Sequence, residues 1–114
     1  MHEIGFVGAV DIKQLLEEMS AQLVDPTTQR LKWLLDLRSA QLDLRPIEAL
    51  EVARQLDQRK RQEDGTQSCR VAMLVTDDLT YGNCRVLQGF LANQVELTVT
   101  RSEEHARHWL APLH

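Results

Sequence analysis

Leu31-Lys32-Trp33-Leu34-Leu35-Asp36-Leu37 is the stretch on which the fold turns. Trp33, Leu34 and Leu35 stand in a row, so apolar side chains fall on both faces of any strand built here. A half-exposed strand alternates apolar with polar residues, whereas one covered on both sides reads as a continuous apolar run. The run therefore predicts a central strand buried between two layers.

Working outward, the upstream residues Ile4 to Val10 are apolar and glycine-interrupted, and read as the end of a short strand. Asp11 follows as an N-cap for Ile12, Leu15, Leu16, Met19 and Leu23 at helical spacing. The turn chemistry of Asp25-Pro26-Thr27-Thr28-Gln29 ends that helix. Downstream, Asp36-Leu37-Arg38-Ser39 leads to a second short apolar stretch and then to Asp43-Leu44-Arg45-Pro46, whose proline suits a first helical turn. Ile47, Leu50, Ala53 and Leu56, with Ala49 and Val52 beside them, form a broad apolar stripe. It ends near Arg59-Lys60-Arg61, cations that favour the negative end of the helix dipole. Gln62 to Ser68, with Asp64-Gly65, reads as an exposed loop.

Cys69 to Val75 is a third strand, and Thr76, Asp77 and Asp78 offer caps for a helix carrying Tyr81, Cys84, Leu87, Phe90 and Leu91. Val95 to Val99 alternates as a half-buried edge strand. Ser102-Glu103-Glu104 opens a last helix with Ala106, Trp109 and Leu110 available to dock. Strands thus alternate with helices. The expected class is α/β: a single small domain over residues 1–114, with a mixed, mostly parallel sheet of about four strands flanked by helices.

Composition narrows the function classes. The chain has 114 residues, 43% of them hydrophobic, which suits one core. Seventeen acids against 13 bases give a net charge of −4, too little positive charge for counterion-driven nucleic-acid binding, and aromatics at 4% are too few for base-stacking platforms. No apolar run approaches the roughly 20 residues of a membrane span. Met1-His2-Glu3-Ile4-Gly5 has no signal-peptide character, so the cytoplasm is the expected address. Cys69 and Cys84 lack metal or redox spacing and read as free thiols acting as small hydrophobes.

Three stretches carry a family resemblance: Leu34-Leu35-Asp36-Leu37-Arg38-Ser39-Ala40-Gln41-Leu42-Asp43-Leu44, Val75-Thr76-Asp77-Asp78-Leu79-Thr80-Tyr81-Gly82-Asn83-Cys84-Arg85, and Val95 to Leu110. In this order they resemble the SpoIIAA-like branch of the STAS domains, named for sulfate transporters and anti-sigma-factor antagonists. The resemblance implies a small α/β domain that works by binding, either to a regulatory protein or to a lipophilic ligand or membrane surface. Two departures stand out. Where the antagonists place a phosphorylatable serine in an Asp-Ser-Ser-Gly-like turn, this chain reads Asp43-Leu44-Arg45-Pro46, with no hydroxyl at the switch position. Ser39 lies upstream in the same connection and reads as a solvated loop serine. The family also has fuller strands before the first helix, so the front of the sheet is expected to be abbreviated and to expose an edge for a dimer contact.

Ligands of open α/β sheets gather at the carboxyl ends of the strands. That rule selects Asp36 and Arg38 after the second strand, Asp77, Asp78 and Tyr81 after the third, and Arg101 after the fourth. Such a crevice would hold a small polar or anionic head group, the arginines giving charge-assisted hydrogen bonds and Tyr81 an amphipathic wall. The competing reading has the aspartates capping helices and the arginines pairing with them at the surface. His105 and His108 near Glu104 lack a third metal ligand and read as solvated, and His2 and His114 as fraying ends. Gly5, Gly8 and Gly82 belong to no phosphate-binding pattern.

With no acid/base pair or activated nucleophile legible, the sequence predicts a non-enzyme without metal or cofactor. Its expected partner is a regulatory protein or a second copy of itself. The alternative is a carrier of a small amphipathic or lipophilic ligand at the strand ends, with the helix from Pro46 to Arg61 as its lid.

Overall fold

The computed structural model describes residues 2–21, 30–45, 47–51, 53–54, 68–91 and 95–111. In chain order they form β1 (His2–Asp11), α1 (Ile12–Ala21), β2 (Arg30–Asp43), a helical segment α2 (residues 47–51 and 53–54), β3 (Ser68–Leu74), α3 (Asp78–Phe90), β4 (Glu96–Thr100) and α4 (Glu103–Leu110). Every strand pairing is parallel, and the spatial order β1-β2-β3-β4 repeats the chain order. Crossovers between parallel strands follow a right-handed rule, so three that step in one direction are expected to set their helices on one face. The packing agrees: Ile12 and Leu15 of α1, Ala49 of α2, and Cys84 and Leu87 of α3 share one core with Trp33, Leu35, Leu37, Val71 and Met73.

The other face belongs to α4. There Leu34, Ala72 and Leu74 pack against Ala106, Trp109 and Leu110. Leu34 and Leu35 are therefore both buried, on opposite sides of β2, as the unbroken apolar run requires.

Between its two halves β2 carries a bulge. Gly5 pairs with Asp36 and Val7 with Ser39, so one residue of β1 spans two of β2. The inward set changes parity there, from Trp33, Leu35 and Leu37 to Ala40 and Leu42, and leaves Arg38 and Ser39 exposed side by side. The two apolar stretches expected to be separate are thus one 14-residue strand, and Ser39 sits in that strand and not in a loop. β3 accompanies β2 only as far as Asp36. Beyond it the β1–β2 ribbon runs on alone and docks on α3, where the Leu42 N–H donates to Thr80 Oγ1 at 3.2 Å and Asn83 Nδ2 donates to the Leu42 carbonyl at 2.8 Å.

The first strand, expected to be short, is long. β1 is a ten-residue strand paired with β2 along its length, and His2, expected to fray, stacks on Trp33 with ring centroids 4.5 Å apart. Gly8 takes φ +79°, a conformation glycine adopts without steric cost.

The starts of α1, α3 and α4 are capped. Asp11 Oδ1 accepts the Gln14 N–H at 2.8 Å while Gln14 Oε1 accepts the Asp11 N–H at 2.9 Å, a reciprocal capping box. Asp77 caps α3 and Ser102 caps α4. In α4 the acids Glu103 and Glu104 fill the first turn and Arg107 and His108 the last, matching the helix dipole at both ends.

The stripe expected on α2 is met in part. Ile47, 74% exposed, and Leu50 point outward, while Ala49 is buried and Ala53 packs on the core. The alanines are the residues of this segment turned to the core. The remainder of that stripe, the basic run Arg59-Lys60-Arg61, the loop before Ser68 and the turn at 25–29 lie outside the described residues.

Candidate functional site

At the carboxyl ends of β1, β2 and β3 the bulge opens a cleft of about 430 Å³, lined by Gly8, Ala9, Arg38, Ser39, Ala40, Gln41, Thr76 and Asp77. Its floor follows from the register shift: a regular β2 would place only one of Arg38 and Ser39 on this side. Thr76 closes the far wall, its hydroxyl donating to the Arg38 carbonyl at 3.0 Å.

The six residues selected from the sequence fall into three groupings. The Arg38 guanidinium grips Asp36 with two side-chain hydrogen bonds of 3.0 and 2.9 Å, and the Arg38 N–H donates to the same carboxylate at 3.0 Å. Asp77 is a helix cap, its Oδ2 accepting the Thr80 N–H at 2.9 Å and the buried Thr80 hydroxyl at 3.0 Å. Asp78, Tyr81 and Arg101 form the third: the Arg101 guanidinium pairs with Asp78 and lies 4.7 Å above the Tyr81 ring. Of the six, Arg38 and Asp77 line the cleft.

Sequence reasoning missed how far the first grouping extends. Arg38 also reaches Glu103 of α4 at 3.1 Å, Glu103 lies 3.7 Å from Arg107, and Arg107 holds Glu3 of β1 at 2.6 Å. The chain Asp36–Arg38–Glu103–Arg107–Glu3 straps α4 to β1 and β2. Hydrogen bonding from Arg107 holds the Glu3 carboxyl below its ordinary pKa, and hydrogen bonding from Arg38 does the same for Asp36. On the same face the Arg70 guanidinium stacks 4.2 Å from the Trp109 ring centroid. Arg70 Nε also lies 2.9 Å from a Glu96 carboxylate oxygen, at an angle that makes an ion pair and not a formed hydrogen bond.

Cys84 is buried in α3, and burial pushes its thiol up to about 12, so it stays a protonated thiol at neutral pH. The side chain of Cys69 lies outside the described residues. His105 and His108 are exposed on α4, and among the described residues no group of three or more metal-ligating side chains converges. No helix among them is long and apolar enough to cross a membrane.

A second feature escaped the sequence. On α3, Leu79 is 71% exposed, and Val86 and Phe90 are exposed as well. At spacings of seven and four residues they lie in one row along the helix. Cys84, Leu87 and Leu91 supply the buried side of the same helix. Phe90, read from its spacing as part of the inward stripe, belongs to the outward row.

No protein-family model matches the sequence, and no curated protein matches it. The structure is similar to the crystal structure of an uncharacterized protein of the DUF3478 family with a SpoIIAA-like fold, from Shewanella loihica PV-4. The likeness has a TM-score of 0.56 at 20% sequence identity and covers 96% of this chain and 82% of that one. The chain has a SpoIIAA-like fold, the fold its three sequence stretches resemble.

Proposed function

We propose that this chain is a non-catalytic regulatory module that binds another protein through the outer side of its three-helix layer. The observation that carries this reading is the row Leu79, Val86 and Phe90 on α3, with Ile47 and Leu50 exposed on α2 of the same layer. Single exposed apolar residues are ordinary on any protein surface. A row of three along one helix is the form in which helix-mediated recognition presents its anchors. The polar residues at the strand ends support the same reading, since Asp36, Arg38, Asp77, Asp78 and Arg101 are each engaged by a cap or an ion pair.

The test compares the wild type with Leu79→Asp/Val86→Asp in parallel affinity captures from cell extract. Because both side chains are exposed, the double variant keeps the wild-type circular dichroism and melting curve. The reading expects proteins held by the wild type and lost from the variant. An identical set on both overturns it.

A second reading rests on the cleft. Its volume of about 430 Å³ falls within the range of small-molecule sites, and it joins the apolar Gly8, Ala9 and Ala40 to the polar Arg38, Ser39 and Gln41. On this reading the domain carries a small amphipathic ligand. Native mass spectrometry of protein purified from cells then shows a co-purifying mass that Ser39→Trp, which fills the cleft, removes. A bare protein mass in repeated preparations overturns it.

A further inference from the structure

The sheet has two edges, and they are built differently. β4 is five residues long and opens on Glu96, whose carboxylate sits beside Arg70. β1 is twice as long, and among the described residues only β2 lies beside it in the sheet. Natural edge strands are guarded by charges, proline or a bulge of their own, because an open row of backbone donors and acceptors invites another strand. From Ile4 to Val10 β1 has no charge and no proline, and the bulge at this pairing adds its extra residue to β2. Val7 is 82% exposed.

We propose that this edge is covered by a second copy of the chain, the two β1 strands running antiparallel across a two-fold axis to join two four-stranded sheets into one. An isologous contact places the same strand opposite itself, so it requires an edge that does not repel its own copy. β1 meets that requirement. Centring the axis at Phe6 sets Glu3 opposite Ala9 and Val7 opposite Gly5, and Glu3 already has its counter-ion in Arg107 of its own chain. The helix flanking this edge, α1, exposes Lys13 alongside Glu17 and Glu18, charges of both signs. A foreign peptide fits less well: added strands gain specificity from side-chain pockets, and glycine and alanine provide none.

The proposal is independent of the α3 row, and its test separates the two. Sedimentation or light scattering of the wild type over a dilution series should give a mass of twice 13.1 kDa that falls towards the single-chain mass on dilution. Val7→Lys sets two like charges diagonally across the axis, one on each strand, and should weaken the dimer about tenfold or more, since charges guard strand edges and like charges that meet across a strand pair destabilise it. Thr98→Lys on the β4 edge and Leu79→Asp on α3 should leave it unchanged. A monomeric wild type at every concentration overturns the proposal, as does a Val7→Lys dimer as tight as the wild type. Should Val7→Lys fail to fold, hydrogen exchange of the wild type decides. Protection of the Ile4–Ala9 amides should rise with protein concentration, and protection independent of concentration overturns it.

Discussion

The two faces of the sheet are finished in opposite ways. On one, three helices bury a large apolar core, yet the outer sides of α2 and α3 leave Ile47, Leu50, Leu79, Val86 and Phe90 in the open. On the other, a single eight-residue helix covers a small cluster, and its outer surface is Glu103, Glu104, His105, Arg107 and His108. The thin layer is complete for water. The thick layer is closed within and carries large apolar side chains among charges without, the kind of surface the proposed partner would meet. On the proposed function, stability and binding fall to the same layer, its inner side and its outer side.

That contrast can be broken most severely from inside the thick layer. Trp33 is almost fully buried, and Trp33→Ala should destabilise the protein by about 3–5 kcal/mol, read from chemical denaturation. Leu110→Ala in the thin layer should cost about 2 kcal/mol, the lower end for a buried leucine, because a short terminal helix can settle into the space. Hydrogen exchange should then show α4 opening before β2 and α3. Equal costs at Trp33 and Leu110 would mean that the faces are not unequal in the way their packing indicates.

Asp77→Ala removes the α3 cap and should cost about 1 kcal/mol in the same denaturation assay. The smallest effect belongs to the ion-pair strap. Glu3 and Asp36 are held below their unfolded values of 4.5 and 3.8, so what they contribute is fully present above those values. It is lost as pH falls through the lower folded-state values. Between pH 5 and 8 (roughly the usual range of maximal stability) these two groups leave stability flat, and only in stronger acid do they weaken it. Glu3→Gln should make that acid loss shallower in urea melts taken across pH.

The central strand was legible because periodicity carries it: Trp33-Leu34-Leu35 has no amphipathic solution, and both sides proved buried. The caps were legible for a similar local reason, since Asp11, Asp77 and Ser102 each act within three residues of themselves. Arg38-Ser39 misled because two polar residues in a bulge read like a loop, and nothing local distinguishes them. On α2, alanine and isoleucine/leucine rows both qualify as an apolar stripe, and only the packing shows that the alanines face the core. The strap was out of reach: Glu3 and Arg107 are 104 residues apart, and only the placement of α4 over β1 and β2 joins them. Of the site, the residue types and their strand-end positions were readable, but not that caps and ion pairs divide them into three groupings.

The most direct test of the account places a photo-crosslinking amino acid on each outer surface in living cells, at Val86 on α3 and, in a separate variant, at Glu104 on α4. The account predicts a discrete protein adduct on irradiation from position 86 and none from position 104. Adducts of equal yield from both positions, or from position 104 alone, would contradict it.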